Sequence, residues 1–96
     1  MNENRVLTLL SLIKDLKIWA DDILDPSDAT AAKPNLGKIT ELANKYPEGR
    51  PDEDSEQIHD YWEQVSSCID LSITTFRESC DALTYFTRAG LSTTDE

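Results

Sequence analysis

Residues 58–86, IHDYWEQVSSCIDLSITTFRESCDALTYF, decide how this chain folds. Ile58, Trp62, Val65, Ile69, Ser72, Phe76, Ser79, Leu83 and Phe86 keep a 4-3-4-3 spacing, the period of an α-helical seam. Asp60, Glu63, Ser67, Asp70, Arg77, Glu78 and Asp81 lie mostly off that seam. The spacing predicts one helix of about 35 residues. Asp52 or Asp54 caps its start, with Gln57 in capping-box spacing behind Asp54. Gly90, followed by Leu91, reads as its C-cap. The β-branched run Ile73-Thr74-Thr75 marks the expected kink.

Upstream, Val6, Leu9, Ile13, Leu16, Ala20 and Ile23 form a second helical seam within residues 3–24. Leu12 and Trp19 widen it on one side, Leu10 and Leu24 on the other. A face that broad packs against two neighbours. Asp25-Pro26 ends the segment, because a residue before proline avoids the helical region. Residues 25–34 read as a loop. Asn35 then caps a short helix carrying Leu36, Ile39, Leu42, Ala43 and Tyr46, and Pro47 to Pro51 form a turn.

The expected fold is all-α: an antiparallel helical hairpin of two long helices with a short middle helix, a three-helix bundle. Residues 1–91 form one domain and 92–96 a flexible tail. The third helix overhangs the first and exposes Tyr85, Phe86 and Leu91. That overhang calls for cover, by docking elsewhere or by a second copy in a homodimer.

The 96 residues contain 19 acidic and 9 basic side chains, a net charge of −10. No basic cluster is present to neutralise phosphates, which argues against direct binding to nucleic acid or to an anionic membrane surface. A basic protein surface is the favoured partner. No apolar run approaches the ~20 residues that span a bilayer. Cys68 and Cys80 fall on one predicted helix, ~18 Å apart at helical rise, beyond disulfide reach. With no signal peptide in view, a reducing cytoplasm is expected.

No pattern supports catalysis. His59 and Glu63 sit one helical turn apart, short of a metal-ligand set. Asp52, Asp54, Glu56, Asp60 and Glu63 match calcium-loop positions, but Gln57 stands where that loop needs glycine. The only glycines are Gly37, Gly49 and Gly90, so no loop cradles phosphate. A cysteine nucleophile paired with His59 fails as well, because Cys68 is more than two helical turns away. No seam position carries a carboxylate, and none sits in a clearly apolar setting. The chain therefore reads as a non-enzyme without metal or cofactor.

Charge distribution is the informative feature. Asp21, Asp22, Asp25 and Asp28 form one acidic window. Glu48, Asp52, Glu53, Asp54, Glu56, Asp60 and Glu63 form another, against Arg50 alone. Acids at a helix start favour its dipole, but Asp21, Asp22 and Asp25 stand at a helix end, where each is unfavourable by ~0.3–1 kcal/mol. An uncompensated local cost hints at function. The hairpin would bring both windows to one pole. The expected function is a small acidic interaction protein that binds and inhibits a basic, nucleic-acid-binding protein. It would act as a nucleic-acid mimic, as small phage inhibitors and nuclease-immunity proteins do as a class. The partner-binding residues would be Asp21, Asp22, Asp25, Asp28, Asp52, Asp54, Asp60 and Glu63. The alternative is a structural or assembly subunit that self-associates through its helical seams.

Overall fold

A computed structural model describes the backbone of residues 3–94 and the side chains of residues 4–89. Helix α1 spans Glu3–Ile23 and α2 spans Pro26–Ala31, followed by strand β1 (Ala32–Pro34) and helix α3 (Leu36–Lys45). Helix α4 (Gln57–Ser67), strand β2 (Ile69–Leu71) and helix α5 (Phe76–Thr94) complete the chain. The fold is mostly helical, as the periodicity predicts, with one small sheet.

Helix α1 is the hub, and α3, α4 and α5 all pack on it. Of its seam residues, Val6, Leu9, Ile13, Leu16 and Ala20 are buried, as is the flanking Leu12, whereas the last, Ile23, is exposed at the helix end. The broad apolar face thus meets three neighbours rather than two. Helix α3 runs antiparallel to α1: Arg5 bonds Asn44, and Thr8 Oγ1 donates to the Pro47 carbonyl at 2.8 Å. Helix α4 returns alongside α3, with Lys45 against Asp60 near one end and the Cys68 carbonyl accepting from Asn35 N–H at the other. Helix α5 descends along α1, pairing Arg77 with Asp21 and Asp81 with Lys17. The result is an up-down-up-down packing of four helices, not the three-helix bundle expected. The antiparallel pairing of the first and last helices is found.

The correction comes from residues 68–75. Ser66 Oγ and Ser67 Oγ donate to the carbonyls of Glu63 and Gln64, local bonds that compete with helix propagation. The chain then leaves the helix and pairs with β1 in antiparallel register, Ala32 opposite Leu71, Lys33 opposite Asp70 and Pro34 opposite Ile69. Ser72 N–H donates to the Ala31 carbonyl, extending the ladder. Ser72 Oγ then accepts from Thr74 N–H at 3.2 Å, and the Thr75 carbonyl accepts from Ser79 N–H to open α5. What reads as a kink at Ile73-Thr74-Thr75 is a full reversal. Ile73 stands wholly in solvent there.

Other local expectations shift too. The 25–34 stretch holds a helix and a strand. Asp25 caps α2 through Ser27 N–H, and Pro26 stands in its first turn, where a missing N–H costs nothing. Neither Asp52 nor Asp54 caps α4; Ser55 Oγ accepts from Gln57 N–H at 3.1 Å instead. The turn before it uses Gly49 at φ 106°, a left-handed conformation that side chains disfavour. Asn35 does cap α3, accepting from Lys38 N–H at 3.1 Å. Gly90 is not a C-cap, since α5 continues through it to Thr94. Ser92 to Thr94 of the expected tail are helical, and Asp95 and Glu96 lie outside the described residues.

One core gathers α1, β1, α3, α4 and α5. Cys68 ends α4 and Cys80 lies in α5, so they belong to different helices. Both are buried free thiols, and burial pushes each up to about 11. Among the described residues, no helix is long and apolar enough to cross a membrane.

Candidate interaction surface

The two acidic windows do not meet at one pole. Because α3 runs back along α1, it delivers the 47–56 turn to the N-terminal half of α1, beside Thr8 and Asp15. The first window lies at the other end of α1, near Phe76 and Arg77 at the start of α5. The short middle helix suggested convergence. Its direction along α1 separates the windows.

The first window is largely engaged within the fold. Asp21 is exposed and accepts from the Arg77 guanidinium. Asp25 accepts from Ser27 N–H at 2.9 Å and from Ser27 Oγ at 2.6 Å. Those bonds, the hydroxyl's first, hold its carboxyl below the usual range. Asp28 sits in the first turn of α2, a favourable end for an acid. The uncompensated helix-end charge inferred from sequence is therefore mostly compensated, by α2 and by Arg77. Within this window Asp22 and Asp28 are exposed and make no ion pair among the described residues.

The second window divides. On α4, Asp60 accepts from Lys45 Nζ at 3.3 Å, Tyr46 OH at 3.2 Å and Gln64 Nε2 at 2.7 Å. The bonds from Lys45 and then Tyr46 keep its carboxyl below the usual range. Glu63 lies 3.3 Å from His59 Nε2, one turn apart on the exposed face of α4. In the turn, by contrast, Glu48, Asp52, Glu53, Asp54 and Glu56 are all exposed, and none is ion-paired among the described residues.

Arg50 explains that contrast. It is the only base among residues 48–56, yet its guanidinium turns inward. It lies 5.5 Å from the centre of the Trp62 ring and 3.5 Å from Asp15 Oδ1. Asp15 is only 5% exposed. Its second oxygen accepts from Tyr61 OH at 2.6 Å. Burial first, and then the bond to Asp15, push the Tyr61 phenol well above its ordinary range. Tyr61 also packs edge-on against Tyr46 and Trp62.

Asp15 corrects the expectation that no carboxylate has an apolar setting. Its signal was present: Asp15 lies three residues after Leu12 and four before Trp19, on the stripe flanking the α1 seam. Its donor, Tyr61, is distant in sequence and is identified only by the packing of α4 on α1. Among the described residues, no three His, Cys, Asp or Glu side chains converge to hold a metal ion. The chain matches no protein-family model, no curated protein and no solved structure.

Proposed function

We propose that this chain is a small acidic interaction protein whose 48–56 turn docks on a basic protein surface. The carrying observation is the inward direction of Arg50. It leaves five exposed carboxylates, those of Glu48, Asp52, Glu53, Asp54 and Glu56, facing solvent with no cation of their own among the described residues. The anchor matters as much as the charge. Arg50 fixes the middle of the turn to Asp15 on α1 and to Trp62 on α4. A fixed array of carboxylates loses less conformational freedom on binding than a free loop. It also steers a cationic partner during approach.

The partner class follows from the chemistry. A groove built for phosphates presents clustered Lys and Arg, and closely spaced carboxylates satisfy the same donors. Inhibition of a nucleic-acid-binding protein by occupying that groove is the expected consequence. Asp52 and Asp54 are the central residues of this surface. Asp22 and Asp28 form a smaller acidic area at the other end of α1, and Asp21, Asp25, Asp60 and Glu63 are drawn into contacts within the chain.

The test uses two baits, the native chain and a variant with Glu48, Asp52, Glu53, Asp54 and Glu56 changed to Gln or Asn. The native bait should retain basic proteins from an extract of its source cells, and the variant should lose them. Identical retention by both baits would refute the proposal.

A further inference from the structure

Helix α5 carries apolar side chains on two opposite faces. Phe76, Cys80 and Leu83 turn into the core. Ala82, Tyr85, Phe86 and Ala89 face solvent at helical spacing, with Tyr85 70% and Phe86 68% exposed. The two rings pack edge to face at 5.6 Å. Phe86, a seam position by its spacing, lies outside the core face. Tyr85 and Phe86, exposed on a helix already anchored by its other face, form an apolar surface open to binding.

Two features identify what covers it. First, the stripe is symmetric about the point between Tyr85 and Phe86: small, aromatic, aromatic, small. A twofold axis there sets Ala82 of one copy opposite Ala89 of the other, so each alanine leaves room for the facing rings. Such self-complementarity is what an isologous interface requires. Second, the charges match. Asp81 and Arg88 flank the same side of the stripe one heptad apart. An antiparallel pairing brings each Asp81, which also holds Lys17 of its own chain at 3.0 Å, within about two residues of helical rise of the other copy's Arg88. Arg88 is exposed and makes no ion pair among the described residues. Along residues 76–89, α5 carries two acids and two bases, so it is neutral on a chain of charge −10. It is therefore a face on which two copies approach without local repulsion.

We infer that α5 pairs antiparallel with α5 of a second copy, with the twofold axis between Tyr85 and Phe86. The patch has four side chains, far below the roughly 20–30 residues a side of a standard interface. The dimer is accordingly weak and reversible. The α5 face lies outside the 48–56 turn, so this pairing and docking by the acidic turn stand or fall separately.

Sedimentation equilibrium on the full chain tests this. The native chain should pass from monomer to dimer with rising concentration. Phe86→Asp and Tyr85→Ala should each raise the dissociation constant at least tenfold while leaving the circular dichroism spectrum unchanged. Neutralising the acidic turn should not weaken the dimer. In a mixture, Ala82→Cys should form a disulfide with Ala89→Cys of the other copy, and neither variant alone should do so. A monomer at every concentration, a dimer indifferent to Phe86→Asp, or Ala82→Cys linking to itself as readily as to Ala89→Cys would overturn it.

Discussion

Tyr61 OH donates a 2.6 Å hydrogen bond to Asp15 Oδ2, joining α4 to α1 across 46 positions of sequence. Both residues are buried, and Arg50 reaches the other carboxylate oxygen. Tyr61→Phe strips a donor from a buried acceptor and should cost about 1–3 kcal/mol, read as a lower urea midpoint. Asp15→Leu should cost a similar amount by orphaning the phenol. The double variant Asp15→Leu/Tyr61→Phe should cost less than the two single changes together, since no buried polar partner remains between them. Strict additivity would show the bond to be incidental.

Alkaline pH should destabilise the fold through its thiols. The Cys68 and Cys80 pKa values stand at about 11 in the fold against 9.0 ordinarily, because burial disfavours the thiolate. A raised folded pKa gives stability that is complete below the ordinary value and lost as pH rises through the folded one. Urea midpoints should therefore fall between about pH 9 and pH 11, with Tyr61 acting in the same direction. Replacing both cysteines with alanine should flatten that decline. On the acid side, Asp25 and Asp60 have depressed values. Their contribution is present above 3.8 and disappears as pH falls through their folded values.

Asn35 serves two elements at once. Its Oδ1 caps α3 at Lys38 N–H, and its Nδ2 donates to Asp70 Oδ2 at 2.7 Å on β2. Asn35→Ala should cost about 1–2 kcal/mol, a fall in melting temperature on the order of 4–16 °C. Asn35→Asp keeps the cap but sets a second carboxylate against Asp70. It should be destabilising at neutral pH and recover toward pH 4. Equal losses at both pH values would contradict this division of roles.

Helix α2 buries none of its residues. Asp25→Ala should therefore act locally. Amide exchange over residues 27–31 should accelerate, while global stability changes by no more than ~0.5 kcal/mol. A large global loss would mean that α2 supports the core.

The sequence makes the first helix legible because six seam positions repeat without a break, from Val6 to Ile23. Asn35 and Pro47 likewise bracket α3 with unambiguous end signals. The third segment misleads for a physical reason. Val65 and Phe76 are both buried, and the ten positions between them fit helical spacing as well as they fit a helix end, a three-residue strand and a turn. What selects the second is β1, whose backbone supplies partners for residues 69–72. That pairing is long-range, and no local pattern around Ser66 to Thr75 declares it. The acidic turn was legible as composition. The direction of Arg50 was not, because it depends on Asp15 and Trp62, and only the packing of α4 on α1 brings those together.

The most direct measurement is a binding titration of the captured basic partner, with the native chain and with the turn-neutralised variant, from about 50 mM to about 500 mM salt. The native chain should bind tightly at low salt and weaken steeply as salt rises. The variant should bind weakly throughout, with a much shallower slope. Native binding that is indifferent to salt, or a variant that follows the same steep curve, would contradict docking through the 48–56 turn.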